Sequence, residues 1–124
     1  MTATSTKPLK VLVAEDNEVN QLLLKTLLEE GGWQTTIVTN GQECVEALRK
    51  ESFSLILMDI QMPVMDGFEA TRIIRNELQS SILIIGISAN ADEADIQKSL
   101  NAGMNGHMSK FFNLSQLQEL MGIG

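Results

Sequence analysis

Residues 53–67 read FSLILMDIQMPVMDG, and this stretch determines the fold that we predict for the whole chain. An apolar run of strand length ends at Asp59, and a loop containing Pro63 and Gly67 follows. A buried strand that carries a carboxylate at its open end is a common way to build a reactive site. An aspartate in this position is also common as a turn or capping residue. The role of Asp59 therefore depends on which other residues converge on it.

Strand-like and helix-like segments alternate on both sides of this stretch. Segments with apolar residues at three- and four-residue spacing predict helices between the strands. The run ILIIGI is almost continuously apolar, which is typical of a strand buried on both faces. Short connections and helical crossovers predict an α/β fold with a mainly parallel five-stranded sheet and helices on both faces. The predicted strands are Lys10–Glu15, Trp33–Val38, Phe53–Met58, Ile82–Ile87 and Asn105–Ser109.

The predicted helices carry apolar faces that we expect to pack against this sheet. The first helix follows capping residues at Asp16-Asn17 and ends at Gly31-Gly32. In the fourth helix, we expect Ile96 and Leu100 to point inward. A final short helix is marked by Leu114, Leu117, Leu120 and Met121. The apolar face of the first helix comprises Val19, Leu22, Leu23, Leu24, Leu27 and Leu28.

Composition limits the class of protein. A chain of 124 residues suits one domain, which we place at residues 9–124 after a flexible lead-in at 1–8. A hydrophobic content of 44% argues against disorder, and Cys44 is the only cysteine, so no internal disulfide forms. The net charge of −7 makes nucleic acid and anionic membranes poor partners. We expect a cytosolic chain, or the cytosolic part of a larger membrane-bound protein.

Polar residues follow the carboxyl ends of four predicted strands. Glu15-Asp16 ends the first strand, Asp59 the third, Ser88-Ala89-Asn90 the fourth and Lys110 the fifth. In a parallel sheet of this kind the site lies beyond these ends, where the strand order reverses. Three neighbouring carboxylates repel one another, and a divalent cation such as Mg²⁺ removes that conflict.

This combination predicts phosphoryl chemistry at Asp59. A carboxylate can act as the nucleophile that takes a phosphoryl group. Lys110 supplies a positive charge and Ser88 a hydroxyl for the phosphoryl oxygens. Each residue also has an ordinary interpretation, since Glu15-Asp16 could only cap a helix and Lys110 could be solvated. The prediction rests on the convergence of all of them at strand ends.

The chain resembles the receiver domains of two-component signalling, also called response regulator domains, from about Lys10 to Met121. The resemblance is closest to the receivers of hybrid sensor histidine kinases, and it implies a flavodoxin-like, doubly wound fold with strand order 2-1-3-4-5. The segments that carry the resemblance, in the family's order and spacing, are VAEDN at 13–17, MDIQMPVMDG at 58–67, ISA at 87–89 and SK at 109–110.

The resemblance implies a role in a histidine-aspartate phosphorelay. Asp59 would accept a phosphoryl group from a phosphohistidine on a histidine kinase or a histidine phosphotransfer domain. Ser88 and Lys110 would bind the phosphoryl oxygens, and their movement would reshape the face formed by helix four, strand five and helix five. The domain would catalyse its own phosphorylation without being a turnover enzyme, and its parent protein could be a hybrid kinase. The resemblance also allows a dimer that forms on phosphorylation.

The resemblance also implies a metal site and residues that tune it. Asp16, Asp59 and the backbone carbonyl of Gln61 would hold Mg²⁺ or Mn²⁺, with Glu15 contributing directly or through water. Gln61 and Asn90 occupy positions where the family tunes the lifetime of the acyl phosphate.

Three residues depart from the family pattern. Phe111 replaces the proline that usually follows the lysine. A cis peptide bond before a residue other than proline costs about 2.5–4 kcal/mol, so the Lys110–Phe111 bond need not be cis. His107 stands at the switch aromatic position, where it is either a pH-sensitive switch or an exposed edge-strand histidine. Glu15 replaces the commoner aspartate, which lengthens the reach to the metal.

Other functions remain open on the sequence alone. One alternative is an interaction module of the same fold that no longer cycles, to which Phe111 and His107 give some support. Another is a metal-dependent phosphatase with an aspartate nucleophile, although Gln61 stands where such enzymes usually carry a second carboxylate. A flavodoxin-like nucleotide-binding protein is a weaker alternative, because the turn after the first strand is not glycine-rich.

Overall fold

The computed structural model describes residues 9–89, 91–110 and 112–121. In this part of the chain, five strands alternate with five helices, as predicted. The strands are β1 (Lys10–Ala14), β2 (Gln34–Val38), β3 (Leu55–Asp59), β4 (Leu83–Ser88) and β5 (Gly106–Ser109). The helices are α1 (Glu18–Glu30), α2 (Gly41–Lys50), α3 (Gly67–Asn76), α4 (Glu93–Ala102) and α5 (Leu114–Met121).

The five strands form one parallel sheet in the order β2-β1-β3-β4-β5, which confirms the predicted fold. β3 lies at the centre, and all five of its residues are buried. Because side chains alternate across a strand, Leu55 and Leu57 pack with α1 and α5 on one face. Ile56 and Met58 pack with α2 and α3 on the other face. The apolar run at residues 55–58 therefore belongs to both halves of the core.

Capping residues begin the helices close to the predicted positions. Asn17 Oδ1 accepts a hydrogen bond from the Asn20 N–H at 2.9 Å, so α1 begins at Glu18. Asp66 Oδ1 accepts from the Glu69 N–H at 2.9 Å, which confirms that Asp66-Gly67 starts the third helix. These side-chain oxygens satisfy backbone donors that have no partner within the helix.

The predicted apolar face of α1 is wrong in three positions. Leu24 and Leu28 are buried, whereas Val19 is 66% exposed, Leu22 65% and Leu23 46%. At 3.6 residues per turn, Val19 and Leu22 lie about 140° and 160° from Leu24 around the helix. A helix that covers one face of a sheet buries only a narrower stripe. The sequence therefore has more apolar residues in α1 than the sheet can cover.

The inward face of α4 also differs from the prediction. Leu100 is 45% exposed, and Ile96 is only half-buried. The buried residues of this helix are Ser99 and Ala102. Spacing alone favoured the large apolar residues, but the helix buries these two small residues instead, and Ser99 lies beside Gly86 of β4. Leu120 of α5 is likewise 43% exposed, while Leu117 is fully buried.

The single tryptophan of the chain lies at the amino end of the sheet. Trp33 precedes β2, is 9% exposed and packs in the core cluster beneath α1 with Leu28. Its backbone N–H donates to the Leu28 carbonyl at 3.2 Å, which joins the end of α1 to the start of β2.

No helix within these described residues has the length and apolar character needed to cross a membrane.

Candidate functional site

The structure brings the three predicted acids together at the carboxyl ends of β1 and β3. One oxygen from each of Glu15, Asp16 and Asp59 lies within 4.8 Å of the others. Glu15 is fully buried and Asp59 is 4% exposed, whereas Asp16 faces solvent. The cluster arises because β1 and β3 are parallel neighbours that end at the same edge of the sheet.

Glu15 is fixed by its own backbone and by the start of α1. Its N–H donates to the Val38 carbonyl at 3.0 Å, and its carbonyl accepts from Gln21 Nε2 at 2.7 Å. Glu15 Oε2 accepts from the Asn17 N–H at 3.0 Å. The other oxygen, Oε1, lies 3.0 Å from Lys110 Nζ, an ion pair without the angles of a hydrogen bond. This buried oxygen thus has the ammonium group of Lys110 as its charged neighbour.

Lys110 reaches the acids directly. Its Nζ donates to Asp59 Oδ2 at 2.9 Å and also pairs with Glu15. Its backbone N–H donates to the Ser88 carbonyl at 2.7 Å, which holds the end of β5 beside the end of β4. Burial lowers the pKa of Lys110, but Asp59 and then Glu15 more than offset this, so its pKa lies above the ordinary value. Lys110 therefore remains protonated at neutral pH.

Asp59 has both carboxylate oxygens engaged. Oδ1 accepts from the Gln61 N–H at 2.9 Å, and Oδ2 accepts from Lys110. Burial is the largest influence and raises the pKa of Asp59, while the hydrogen bonds from Gln61 and Lys110 lower it only in part. Nearby Glu15 adds to the rise. The carboxylate is thus held in place at some cost to its charged form.

These residues fit a hard divalent cation. Magnesium prefers carboxylate, carbonyl and water oxygens, and it usually keeps several waters. The cluster offers three carboxylates, and buried Glu15 Oε1 has only the ion pair with Lys110 Nζ at 3.0 Å among the contacts of the described residues. A cation would also favour the charged form of Asp59. The three carboxylates therefore fit the predicted metal, and their assignment as its ligands stays a prediction.

Gly67 has a role that sequence reasoning did not identify. A Cβ at this position would lie 2.5 Å from the Asp59 carbonyl oxygen and 2.8 Å from Met58 Cγ. Any larger residue would push the start of α3 away from the end of β3. The Asp-Gly dipeptide was a visible signal, but it indicated a helix start and not this close backbone approach.

Ser88 and His107 are connected on the other side of the site. Ser88 is the last residue of β4, and its Oγ lies 2.7 Å from His107 Nε2. His107 is half-buried, so it is not the exposed edge-strand histidine of one prediction. Burial lowers the pKa of His107, while Asp95 and Asp92 oppose this more weakly.

Two further predictions fall on residues outside the described part of the chain. Asn90 was predicted to tune the site, and Phe111 was predicted to affect the Lys110–Phe111 bond. Residues 1–8, predicted as a lead-in, also lie outside it. The prediction that the Gln61 carbonyl binds metal stays a prediction, since the observed contact is through its N–H.

The fold and the site define a doubly wound α/β domain with a cluster of three acids and a lysine at the carboxyl ends of its strands. The family described as the response regulator receiver domain matches residues 11–121. The chain belongs to this family, which confirms the resemblance drawn from its motifs.

Relatives of the chain include hybrid signal transduction histidine kinases and a sensor protein. The chain is 38% identical over 117 residues to hybrid signal transduction histidine kinase K of Dictyostelium discoideum, covering 88% of this chain and 10% of that protein. It is 37% identical over 121 residues to the sensor protein GacS of Pseudomonas syringae pv. syringae, covering 94% of this chain and 13% of that protein. The chain thus spans about a tenth of the length of these relatives.

Solved receivers share the fold. The receiver domain of sensor histidine kinase PA1611 from Pseudomonas aeruginosa PAO1, with magnesium coordinated in its active site cleft, superposes with a TM-score of 0.82 at 36% identity. That match covers 93% of this chain and 95% of the other. A co-crystal structure of the Saccharomyces cerevisiae phosphotransfer protein Ypd1 with the receiver domain of Ssk1 matches with a TM-score of 0.82 at 30% identity. It covers 90% of this chain and 85% of the other.

Proposed function

We propose that this domain accepts a phosphoryl group on Asp59 from a phosphohistidine, in the presence of Mg²⁺. The observation that carries the proposal is the position of Asp59. It lies within 4.8 Å of two further carboxylates and 2.9 Å from the ammonium group of Lys110. This arrangement suits phosphoryl transfer, because three acids could share one cation and a lysine donates a hydrogen bond to the nucleophile.

In the transfer step, a carboxylate oxygen of Asp59 attacks phosphorus. The bond between phosphorus and the imidazole nitrogen of the donor breaks, and that nitrogen takes up a proton. Gln61 holds Oδ1 through its backbone N–H, and Lys110 holds Oδ2, so the carboxylate is oriented before the donor arrives. Asp59 is 4% exposed, which limits the access of water to the reacting oxygen.

The remaining groups neutralise charge. Lys110 stays protonated because its pKa is raised, so its ammonium group can follow a phosphoryl oxygen on Asp59. Ser88 lies at the end of β4 next to β5 and supplies a hydroxyl to the same group. Glu15, Asp16 and Asp59 would hold Mg²⁺, which neutralises negative charge on the transferring phosphoryl group.

The donor that we propose is a histidine kinase or a histidine phosphotransfer domain. The support comes from relatives such as hybrid signal transduction histidine kinase K, and from a similar receiver seen with the phosphotransfer protein Ypd1. We further propose that phosphorylation reshapes the face of α4, β5 and α5 and promotes a dimer through it. The cytosolic location, and the absence of nucleic-acid and membrane partners, stay predictions.

Intact-mass analysis tests the proposal. We expect the protein with Mg²⁺ and acetyl phosphate, or with a phosphorylated phosphotransfer domain, to gain the mass of one phosphoryl group. Asp59→Asn removes the nucleophile, so this gain disappears. Asp66→Asn makes the same chemical change in the same loop and keeps a good helix cap, so it retains the gain.

Failure of both donors to label the wild-type protein would overturn the proposal. That result would favour the interaction module that no longer cycles. Labelling that persists in Asp59→Asn would show that another residue is the acceptor.

A further inference from the structure

The side chains of Ser88, His107 and Ser99 form a continuous hydrogen-bonded chain between the site and α4. His107 Nε2 lies 2.7 Å from Ser88 Oγ, and His107 Nδ1 lies 2.7 Å from Ser99 Oγ. Ser99 is fully buried and Ser88 is 7% exposed, so water competes little for either hydroxyl. The imidazole therefore connects the last residue of β4 to the inner face of α4.

Gly86 provides the space for this chain. It is the Cα partner of His107 in the pairing of β4 with β5. A Cβ on Gly86 would lie 2.9 Å from His107 Nδ1 and 3.2 Å from Ser99 Oγ. The absence of a side chain on β4 thus allows the ring and the Ser99 hydroxyl to meet. The contact therefore depends on two residues, a glycine in the buried strand β4 and a serine on the buried face of α4.

The hydrogen atoms in the two hydrogen bonds of His107 can be arranged in two ways. Neutral imidazole has one N–H donor and one acceptor nitrogen. If Nδ1–H donates to Ser99, Nε2 accepts the Ser88 hydroxyl hydrogen, which is then directed at the ring. If Ser99 donates to Nδ1, Nε2–H donates to Ser88 Oγ, and the Ser88 hydrogen can be donated to another acceptor.

Only the second arrangement suits the proposed function, on which this inference rests. The oxygens of a phosphoryl group on Asp59 are acceptors, so Ser88 must donate its hydrogen to them. We propose that Ser99 is a positioning residue that selects the Nε2–H tautomer of His107 and thereby directs the Ser88 hydroxyl hydrogen toward the phosphoryl group. Ser99 does this from α4 and without contact with the reacting atoms.

Nitrogen NMR of the imidazole ring tests the tautomer. His107 is the only histidine in the chain, so its ring signals are unambiguous. In the free wild-type protein at pH 7.5, we expect the Nε2–H tautomer, and the same tautomer with Mg²⁺ and beryllium fluoride as a phosphoryl mimic. In Ser99→Ala, Nδ1 loses its donor, so we expect a mixture of tautomers. An Nδ1–H tautomer in the wild type, or an unchanged tautomer in Ser99→Ala, would overturn the inference.

Thr71→Val is the matched control for the spectra. It removes another fully buried hydroxyl, which donates to the Gly67 carbonyl at 2.7 Å and does not take part in the His107 chain. We expect the wild-type tautomer in this variant. A tautomer change there as large as in Ser99→Ala would show that any buried hydroxyl loss disturbs the ring, which would contradict a specific role for Ser99.

A double-mutant cycle tests whether Ser99 acts through His107. We expect Ser99→Ala to slow phosphorylation by acetyl phosphate at saturating Mg²⁺ by roughly threefold to tenfold, the size of one neutral hydrogen bond. In a His107→Phe background, Ser99→Ala should change the rate by less than about twofold, within the scatter of additive sites. An equal decrease in both backgrounds would assign Ser99 a purely structural role and overturn the inference.

These measurements separate this inference from the proposed function. The tautomer of the free protein is read without any phosphodonor, so it tests the action of Ser99 on His107 by itself. Failure to label the wild-type protein would instead overturn the proposed function, to which the hydrogen bonds of Ser88, His107 and Ser99 would contribute.

Discussion

Two lysine–carboxylate pairs of the same length lie at opposite ends of the sheet. Lys10 Nζ is 2.9 Å from Glu51 Oε2 at the amino end, and Lys110 Nζ is 2.9 Å from Asp59 Oδ2 at the carboxyl end. The side chains of the first pair are 40% and 49% exposed, whereas those of the second are 15% and 5% exposed. Distance alone therefore does not distinguish a surface ion pair from a site.

The surroundings make the difference. An exposed pair such as Lys10–Glu51 is screened by water and typically contributes about 0–1 kcal/mol. Lys110 instead faces Asp59 and Glu15 together, and solvent-exposed Asp16 completes the acidic cluster. Three carboxylates and one ammonium group leave two negative charges uncompensated, which equals the charge of one divalent cation. The charges around the buried pair therefore do not cancel, whereas those of the surface pair do.

Removal of Lys110 gives the largest expected effect. Lys110→Ala takes away the charge beside the nucleophile, so we expect phosphorylation by acetyl phosphate at saturating Mg²⁺ to slow by about 100-fold. Lys10→Ala removes only a screened surface charge and should leave the rate within about twofold. Time courses by intact-mass analysis measure both rates. Equal rates for the two variants would contradict the distinction between the pairs.

Magnesium gives the next largest effect. The ion binds the folded site and not the unfolded chain, so Mg²⁺ at ten times its Kd should stabilise the protein by about 1.4 kcal/mol and raise the thermal midpoint. Combined Asp16→Asn and Asp59→Asn should abolish most of this rise. Glu51→Gln, which neutralises the acid of the surface pair, should keep it. Differential scanning calorimetry at neutral pH provides the midpoints, and an equal rise in the double variant would show that the metal lies elsewhere.

The smallest expected effect comes from His107. Burial lowers the pKa of His107 in the folded state below the ordinary histidine value of about 6.5, so the unfolded chain binds a proton more readily. The free energy of unfolding therefore decreases as the pH drops below about 6.5. It stops decreasing once the pH is below the pKa of His107 in the folded state. The slope is at most that of one proton, about 1.4 kcal/mol per pH unit.

Urea unfolding followed by circular dichroism between pH 7.5 and 5.5 measures this loss. His107→Phe lacks the titrating group, so the difference in unfolding free energy between it and the wild type should shrink or reverse as the pH falls. Lys10→Ala serves as a control that keeps the histidine and the wild-type slope. Parallel curves for the wild type and His107→Phe would contradict a lowered pKa.

The position of the site was predictable because strand ends are predictable. An apolar run that stops at an acid marks the end of a strand, and parallel strands place their ends together. This reasoning brought Glu15, Asp16, Asp59 and Lys110 to one place, where the structure has them. Burial of individual helix residues was less predictable, because spacing shows which residues share a face but not how wide a stripe the sheet covers. Val19 and Leu22 illustrate that limit.

Contacts made by small residues were not predicted. Ser99 and Gly86 lie on different elements and carry no motif, and they meet only because α4 buries Ser99 beside β4. A glycine inside the buried run ILIIGI was the one available signal, since such glycines often mark a close approach of another group. Nothing in the sequence identified which group that would be.

The position of Trp33 has an optical consequence. The chain has one tryptophan and no tyrosine, so its near-ultraviolet emission comes almost entirely from a single indole. That indole is 9% exposed at the start of β2, at the opposite end of the sheet from Asp59. Its fluorescence should therefore shift to longer wavelength when the core beneath α1 opens to water. The same emission should change little on phosphorylation. Intrinsic tryptophan fluorescence should therefore report on folding of this protein and not on its phosphorylation.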